Sequence, residues 1–487
     1  MLDNWTAAAS TLDLPRGTPN DAATRELVSP IDGRVFAHVP EHGAREVDAA
    51  VARARAAFED GRWSRRAPSE RKAVLLNWAD LVERDADAIA RMDTLSMGMP
   101  RMLSTGFCVP WLVNALRFYG EAIDKIYDEI APTGDPVLAL VTREPAGVVG
   151  VVLPWNWPTG LAGWKLPPAL AAGCSVVAKP DEKTPLSLLR VAELALEAGL
   201  PEGVLEIVTG GPVVGEALGR HPDVDVLTFT GSGEVGRMFQ RYAGESNGKA
   251  VWLELGGKGP NIVFVDAPDI AAAAQASAFA IFMNSGQVCA AGSRLIVQRS
   301  IKDQVVETLS AVASSLAPAD PRHPETVIGA MSSAGHLDRV ASYLAFAHKE
   351  GATLALGGGR ALEESGGSYL HPTILDNVTS KMRVAREEIF GPVVSVLTFD
   401  TPEEAIHIAN DTAYGLSGGL WTRDLNTAIH VSRRLRMGAV SVNTYGDDAH
   451  SMLVPFGGYK QSGYGRDKSL HALDKYTQLK TTWIRLG

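Results

Sequence analysis

The chain has 487 residues, which at roughly 150 residues per domain predicts about three domains. Hydrophobic residues make up 46% and charged residues 21%, so the composition excludes disorder as the main state. Lys and Arg number 46 against 56 Asp and Glu, and the net charge of −10 argues against a nucleic-acid or anionic-membrane binder. Three cysteines, Cys108, Cys174 and Cys289, do not make a disulfide framework, so a cytoplasmic setting is expected. The first residues carry no basic segment followed by an apolar run, and no stretch approaches about 18 apolar residues. Neither a secretory signal nor a membrane span is expected.

The spacing of Val47, Ala50, Val51, Ala54 and Phe58 predicts a helix that stops at Gly61. Ser69 is placed to cap a second helix with Val74, Leu75, Trp78, Leu81 and Val82 on one side. Residues 137–142 and 146–153 read as strands with a break at Glu144-Pro145. Apolar runs follow at 175–178, 204–208, 224–229 and 251–255, with helical stretches between them such as 185–198. The alternation recurs, with strands at 261–265, 295–298, 393–399 and 438–442 and helices at 269–283, 301–316 and 402–408. Strand-helix alternation of this kind predicts parallel sheets covered by helices, an α/β fold. The tail, 476–486, alternates like a strand and is placed to pair with another subunit.

Five segments carry residues able to do chemistry. Cys289 lies in Asn284-Ser285-Gly286-Gln287-Val288-Cys289, a small-residue loop after a helix. A thiol there is either a nucleophile or a small packing group. Glu254 closes an apolar strand before Gly256-Gly257-Lys258. Gly231-Ser232-Gly233-Glu234-Val235-Gly236 follows a strand and opens a helix, as pyrophosphate-binding turns do. Glu254 lies 18 residues beyond Gly236, close to the spacing of a ribose-binding acid. It therefore fits two roles, ribose ligand or general base. Lys179 and Glu182 sit after the 175–178 strand, where parallel sheets bind ligands. Pro154-Trp155-Asn156-Trp157-Pro158 follows another strand, and the Asn156 amide could donate to an oxyanion.

Taken together and in this order, the five segments resemble the aldehyde dehydrogenase superfamily over nearly the whole chain. Glu387-Glu388-Ile389-Phe390-Gly391-Pro392 and Pro455-Phe456-Gly457-Gly458-Tyr459-Lys460 add to the match. The resemblance implies two parallel-sheet α/β domains plus a small β oligomerisation domain. Residues 1–127 and 147–255 would bind NAD, 256–455 would form the catalytic domain, and 128–146 with 456–487 would build a homodimer or homotetramer. It implies that Cys289 attacks the aldehyde, Asn156 stabilises the oxyanion, and Glu254 is the water-activating base. Trp155, Lys179, Glu182, Gly231, Ser232, Glu388 and Phe390 would hold NAD, with NADP use open because Lys183 lies beside Glu182. Lys165 and Asp467 match positions tied to proton relay, and no metal ligands are implied.

Gly465-Arg466-Asp467-Lys468-Ser469-Leu470-His471-Ala472-Leu473 resembles the omega-aminoaldehyde branch, which includes gamma-glutamyl-gamma-aminobutyraldehyde dehydrogenases. Departures are Trp157 for the usual phenylalanine, Thr159 and Gly160 for bulky aliphatics, and Ser285 for glutamine. Trp111, Trp157, Trp164 and Phe456 align with tunnel positions, and Asp447 and Asp448 are placed to draw in a cationic aldehyde. The tryptophans equally fit as filler for the space Gly160 leaves. The same reaction on an aliphatic or aromatic aldehyde, acyl transfer to coenzyme A, and a non-catalytic binding protein are the alternatives.

Overall fold

A computed structural model describes residues 23–446 and 451–487. Asp447 and Asp448 lie outside the described residues.

The first sheet runs in the order Gly463–Tyr464, Ala250–Glu254, Val226–Thr230, Val148–Val152, Ser175–Lys179, Leu205–Ile207. The last five strands are parallel, and Gly463–Tyr464 adds antiparallel at the edge. Successive side chains of a strand face opposite ways. Val149, Val151, Val176 and Ala178 thus pack with the helices Pro68–Arg84, Val109–Ala122, Pro158–Ala172 and Leu186–Glu197. Val148, Val152 and Val177 pack on the other face, against Ala44–Glu59, Pro212–Arg220 and Gly233–Gly244. Burial on both faces explains why these strands are continuous apolar runs. Val148–Val152 has the next strand in sequence on one side and Val226–Thr230 on the other. The order of strands along the sheet reverses there, and a crevice opens beyond the carboxyl ends.

The second sheet has seven strands, ordered Thr353–Leu356, Thr373–Asp376, Val393–Phe399, Arg294–Gln298, Pro260–Val263, Ser417–Trp421, Ala439–Val442. Only the Thr353–Leu356 edge is antiparallel. A third sheet is wholly antiparallel, with Val137–Pro145 between Glu129–Ala131 and Thr477–Arg485. The 456–487 segment therefore divides, Gly463–Tyr464 joining the first sheet and the tail joining the third.

Three local expectations are corrected. The strand does not break at Glu144-Pro145; it continues to Pro145, opposite Thr477. Proline at the final position forfeits little, and the turn falls at Gly147, whose φ is +125°. Ser69 does not cap the second helix. Helix Pro68–Arg84 starts from Ala67, whose N–H donates to the Glu70 carboxylate at 3.1 Å. The first helix buries Ala57 rather than Phe58. Helix Pro158–Ala172 escapes the periodicity argument because nearly all of it is buried and it contains Pro167 and Pro168.

Gly147 is a sharp test of this architecture. A Cβ there would lie 2.0 Å from an Asp225 carboxylate oxygen, which accepts the Val148 N–H at 2.6 Å. Gly147→Ala is expected to cost about 3 kcal/mol through backbone strain and displacement of that carboxylate. Thermal or denaturant unfolding against the parent chain measures it.

Candidate active site

The catalytic candidates converge at the crevice, and all but Cys289 follow a strand end. The Val148–Val152 strand delivers Trp155 and Asn156, Val226–Thr230 delivers Gly231 and Ser232, and Ala250–Glu254 ends on Glu254 itself. Cys289 arrives from the other sheet's side. After helix Ile270–Phe282, the residues Asn284, Ser285 and Gly286 have φ of 51°, 55° and 70° and swing the chain back. Gly286 is required there, since a Cβ would lie 2.1 Å from Gly391 O. Ser285 donates to Gly329 O at 3.0 Å, so it fastens this turn from below. Asn156 Nδ2 donates to Gln287 O and Asn284 Nδ2 donates to Asn156 O, both at 2.9 Å. These paired amides tie the oxyanion candidate to the nucleophile's loop.

A cleft with about 700 Å³ of empty space is lined by Trp155, Asn156, Gly231, Ser232, Glu254, Cys289, Glu388 and Phe390, together with Lys183, His336 and Arg339. A second cavity of about 710 Å³ is lined by Phe107, Trp111, Trp157, Trp164, Met283, Tyr445 and Phe456, and again by Cys289. The thiol is common to both walls. Lys183 lines the cleft but Lys179 and Glu182 do not; Lys179 Nζ lies 3.7 Å from the Glu182 carboxylate and donates to Pro180 O. Lys165 touches neither cavity. It is buried on Asp467 at 2.7 Å, in a small space behind Glu254.

The electrostatics of the reacting groups follow from enclosure. Burial pushes the Cys289 thiol well above its ordinary range, and Glu254 and Glu388 push it the same way. Burial likewise raises the Glu254 carboxyl well above the carboxylate range, with Asp467 adding and Lys165 and Lys475 opposing. Glu254 Oε1 has no hydrogen-bond partner among the described residues. Glu388 is pushed up to about 7 by burial, against the N–H of Gly257 donating at 2.9 Å. These surroundings disfavour the charged form of both the acid and the thiol, so neighbouring charges and what binds weigh on the ionisation of each.

The tunnel is an aromatic stack. Trp111 lies 4.9 Å from Trp157 and 5.8 Å from Trp164 between ring centroids, and Trp164 lies 5.1 Å from Phe456. Gly160 makes the stack possible, for a Cβ there would lie 2.7 Å from the Trp111 ring. The buried Lys468 ammonium sits 5.6 Å from the Trp164 centroid and 5.4 Å from that of Phe456.

His336 and Arg339 are site residues that the sequence reading missed. Both come from the first turns of helix Ala334–Glu350, which Ser333 caps by accepting the His336 N–H. The His336 ring bonds Phe390 O at 2.7 Å and packs edge-on to Trp155 at 5.3 Å. It thereby holds Phe390 at a left-handed φ of 62°. Burial takes His336 down to about 4, so it is neutral at pH 7. The Ser-capped start was legible, but nothing local marked its contacts.

The aldehyde dehydrogenase family model matches residues 18–482. The NADP/NAD-dependent aldehyde dehydrogenase PuuC of Escherichia coli (strain K12) is 48% identical over 464 residues, covering 95% of this chain and 92% of that one. A solved indole-3-acetaldehyde dehydrogenase complexed with NAD⁺ is 50% identical with a TM-score of 0.96, and 99% of each chain is covered. A gamma-glutamyl-gamma-aminobutyraldehyde dehydrogenase from Burkholderia cenocepacia is 49% identical with a TM-score of 0.96, covering 100% of this chain and 99% of that one. With its candidate nucleophile, acid and amide brought to one cleft and the family pattern matched almost end to end, the chain belongs to the aldehyde dehydrogenase family.

Proposed function

We propose that this aldehyde dehydrogenase converts an omega-aminoaldehyde, such as 4-aminobutanal or its gamma-glutamyl derivative, to the acid through a covalent bond to Cys289, with NAD as cofactor. One observation carries the reading: Cys289 alone is shared by the polar cleft, which holds Glu254 and Glu388, and the aromatic tunnel. An aldehyde entering by the tunnel meets the thiol from one side and a cofactor in the cleft meets it from the other.

The cleft suits a dinucleotide. Helix Gly233–Gly244 opens into it behind Ser232, and its N-terminal N–H groups suit a pyrophosphate. Gly231 permits close approach, since a Cβ would lie 2.4 Å from the Phe229 ring. Lys179 and Glu182 would hold one ribose and Glu388 the other, with Trp155 and Phe390 flanking the nicotinamide. Glu182 favours NAD by repelling a 2′-phosphate. Lys183, 5.4 Å over the Trp155 ring, keeps NADP use open.

In the chemistry, the Cys289 thiolate adds to the carbonyl, and a hydrogen of Asn156 Nδ2 with the Cys289 N–H stabilises the oxyanion. When bound, the cofactor supplies the hydride acceptor that turns this adduct into a thioester. Glu254 takes a proton from water, the water oxygen joins the acyl carbon, and the carbon–sulfur bond breaks. A buried acid behind the thiol favours hydrolysis over transfer to coenzyme A, which needs no such base.

The indole faces of Trp111 and Trp157 suit a cationic tail, and relatives named for aminoaldehydes support that substrate. A flat aromatic aldehyde is the second reading. Lys468 already sits against the rings of Trp164 and Phe456, the described tunnel wall carries no carboxylate, and a relative at 50% identity is named for indole-3-acetaldehyde. We also propose that residues 1–127 with 147–255 form the cofactor domain and 256–455 the catalytic domain. Residues 128–146 and the tail would join subunits of a cytoplasmic homodimer or homotetramer. Leu479 and Trp483 share one face of that third sheet and are 62% and 65% exposed, a face suited to a second copy.

Steady-state NADH formation over 4-aminobutanal, its gamma-glutamyl derivative, hexanal, benzaldehyde and indole-3-acetaldehyde tests the substrate. The highest kcat/KM is expected with the amino compounds; a preference for the aryl aldehydes would transfer the proposal to the second reading. NAD⁺ is expected to exceed NADP⁺ in kcat/KM, and Glu182→Gln to narrow that gap. Cys289→Ala is expected to abolish turnover while NAD⁺ binding by calorimetry persists. For Glu254→Gln, stopped-flow should retain a first-turnover NADH burst, while the steady rate falls about 100- to 10,000-fold.

A further inference from the structure

Behind Glu254 lies a small enclosed space lined by Lys165, Trp252, Tyr464, Asp467 and Lys475, with Arg466 at its rim. It holds more charge than a reaction base needs for support. Asp467 is buried and each of its oxygens meets a different lysine: Oδ2 the Lys165 ammonium at 2.7 Å, Oδ1 the Lys475 ammonium. Both lysine side chains are at most 4% exposed. One carboxylate between two buried ammonium groups leaves an uncompensated positive charge, which is costly to hold away from water. The nearest enclosed acid able to balance it is Glu254. Arg466 acts on Glu254 in the same sense as the two lysines, but from a half-buried setting that water screens, its guanidinium donating to Gly465 O and Gly458 O.

Resting on the reading of Glu254 as the base, we propose that Lys475 is a positioning residue. By sharing Asp467 with Lys165, it makes ionised Glu254 the charge-balanced state of this pocket. With Lys475 present, two ammonium groups face two carboxylates. Without it, Lys165 alone would face both, and ionising Glu254 would place a second negative charge beside Asp467. The other titratable groups facing the cluster are Cys289 toward Glu254, Tyr464 on the wall, and Tyr119 and Tyr476 toward Asp467. The two buried tyrosines are held neutral, and burial raises the Cys289 thiol likewise, so they do not set the balance.

Infrared titration of the carboxyl stretch tests this on the intact enzyme without substrate. The Glu254 band is identified as the one absent in Glu254→Gln. Lys475→Met is expected to raise its midpoint by about one pH unit, the size expected of a buried charge several ångströms away. Asp467→Asn, which removes the opposite charge, is expected to lower the midpoint, and Lys475→Arg to leave it in place. The acid limb of the kcat profile should move in the same directions, while the first-turnover NADH burst persists. A midpoint unmoved in Lys475→Met, or moved the same way by Lys475→Met and Asp467→Asn, overturns the proposal. Midpoints that shift as expected in an enzyme that oxidises no aldehyde uphold it and sink the functional reading instead.

Discussion

The reciprocal amide bonds between Asn156 and the 284–287 turn hold the two halves of the site in one geometry. Asn156 leaves the first sheet at the mouth of Val148–Val152, and Gln287 belongs to the loop that returns from Ile270–Phe282 toward the second. Gln287 is itself fixed, its amide donating to Asn284 O and its oxygen accepting the Ser332 N–H. The position of the Cys289 loop is thus set by buried hydrogen bonds, in surroundings where an unmade bond is costly. Three successive left-handed residues are sustained by that bonding, as strain at functional sites generally is.

Around this joint the molecule separates two kinds of surface. The cleft gathers carboxylates and a helix N-terminus, while the tunnel is built from indoles and phenyl rings. Enclosure does opposite work in each. In the cleft it raises the acids and the thiol toward neutrality, so charge must be supplied by neighbours or by ligands. In the tunnel it presents a nearly dry ring-lined wall, and a single missing side chain at residue 160 decides how the Trp111 ring lies.

Much of this was readable in the residues. The order of chemical segments after strand ends led Asn156, Gly231 and Glu254 to one cleft, because parallel strands deliver their carboxyl ends to one edge. Burial on both faces explains why short apolar runs marked strands while Pro158–Ala172, buried all round, left no helical stripe. Ser69 misled because the helix starts two residues earlier, from Ala67, whose own N–H is taken by the Glu70 carboxylate. Contacts across long separations left no local mark: His336 on Phe390, and Lys475 on Asp467 opposite Lys165. The first depends on a helix docking its opening turn on a loop, the second on a tail folding back over a helix. Neither spacing nor periodicity encodes such meetings.

The placing of the three thiols has a practical side. Cys108 is buried against the Asp93 carboxylate and the Gly160 N–H, and Cys174 is buried against Tyr476 O. Burial raises both, Cys174 to about 11. Cys289 is half-buried and opens on two cavities. A small thiol-directed label therefore distinguishes the three by access alone. The equivalents incorporated by the native fold count competent sites, and further uptake marks loss of the core around Cys108 and Cys174.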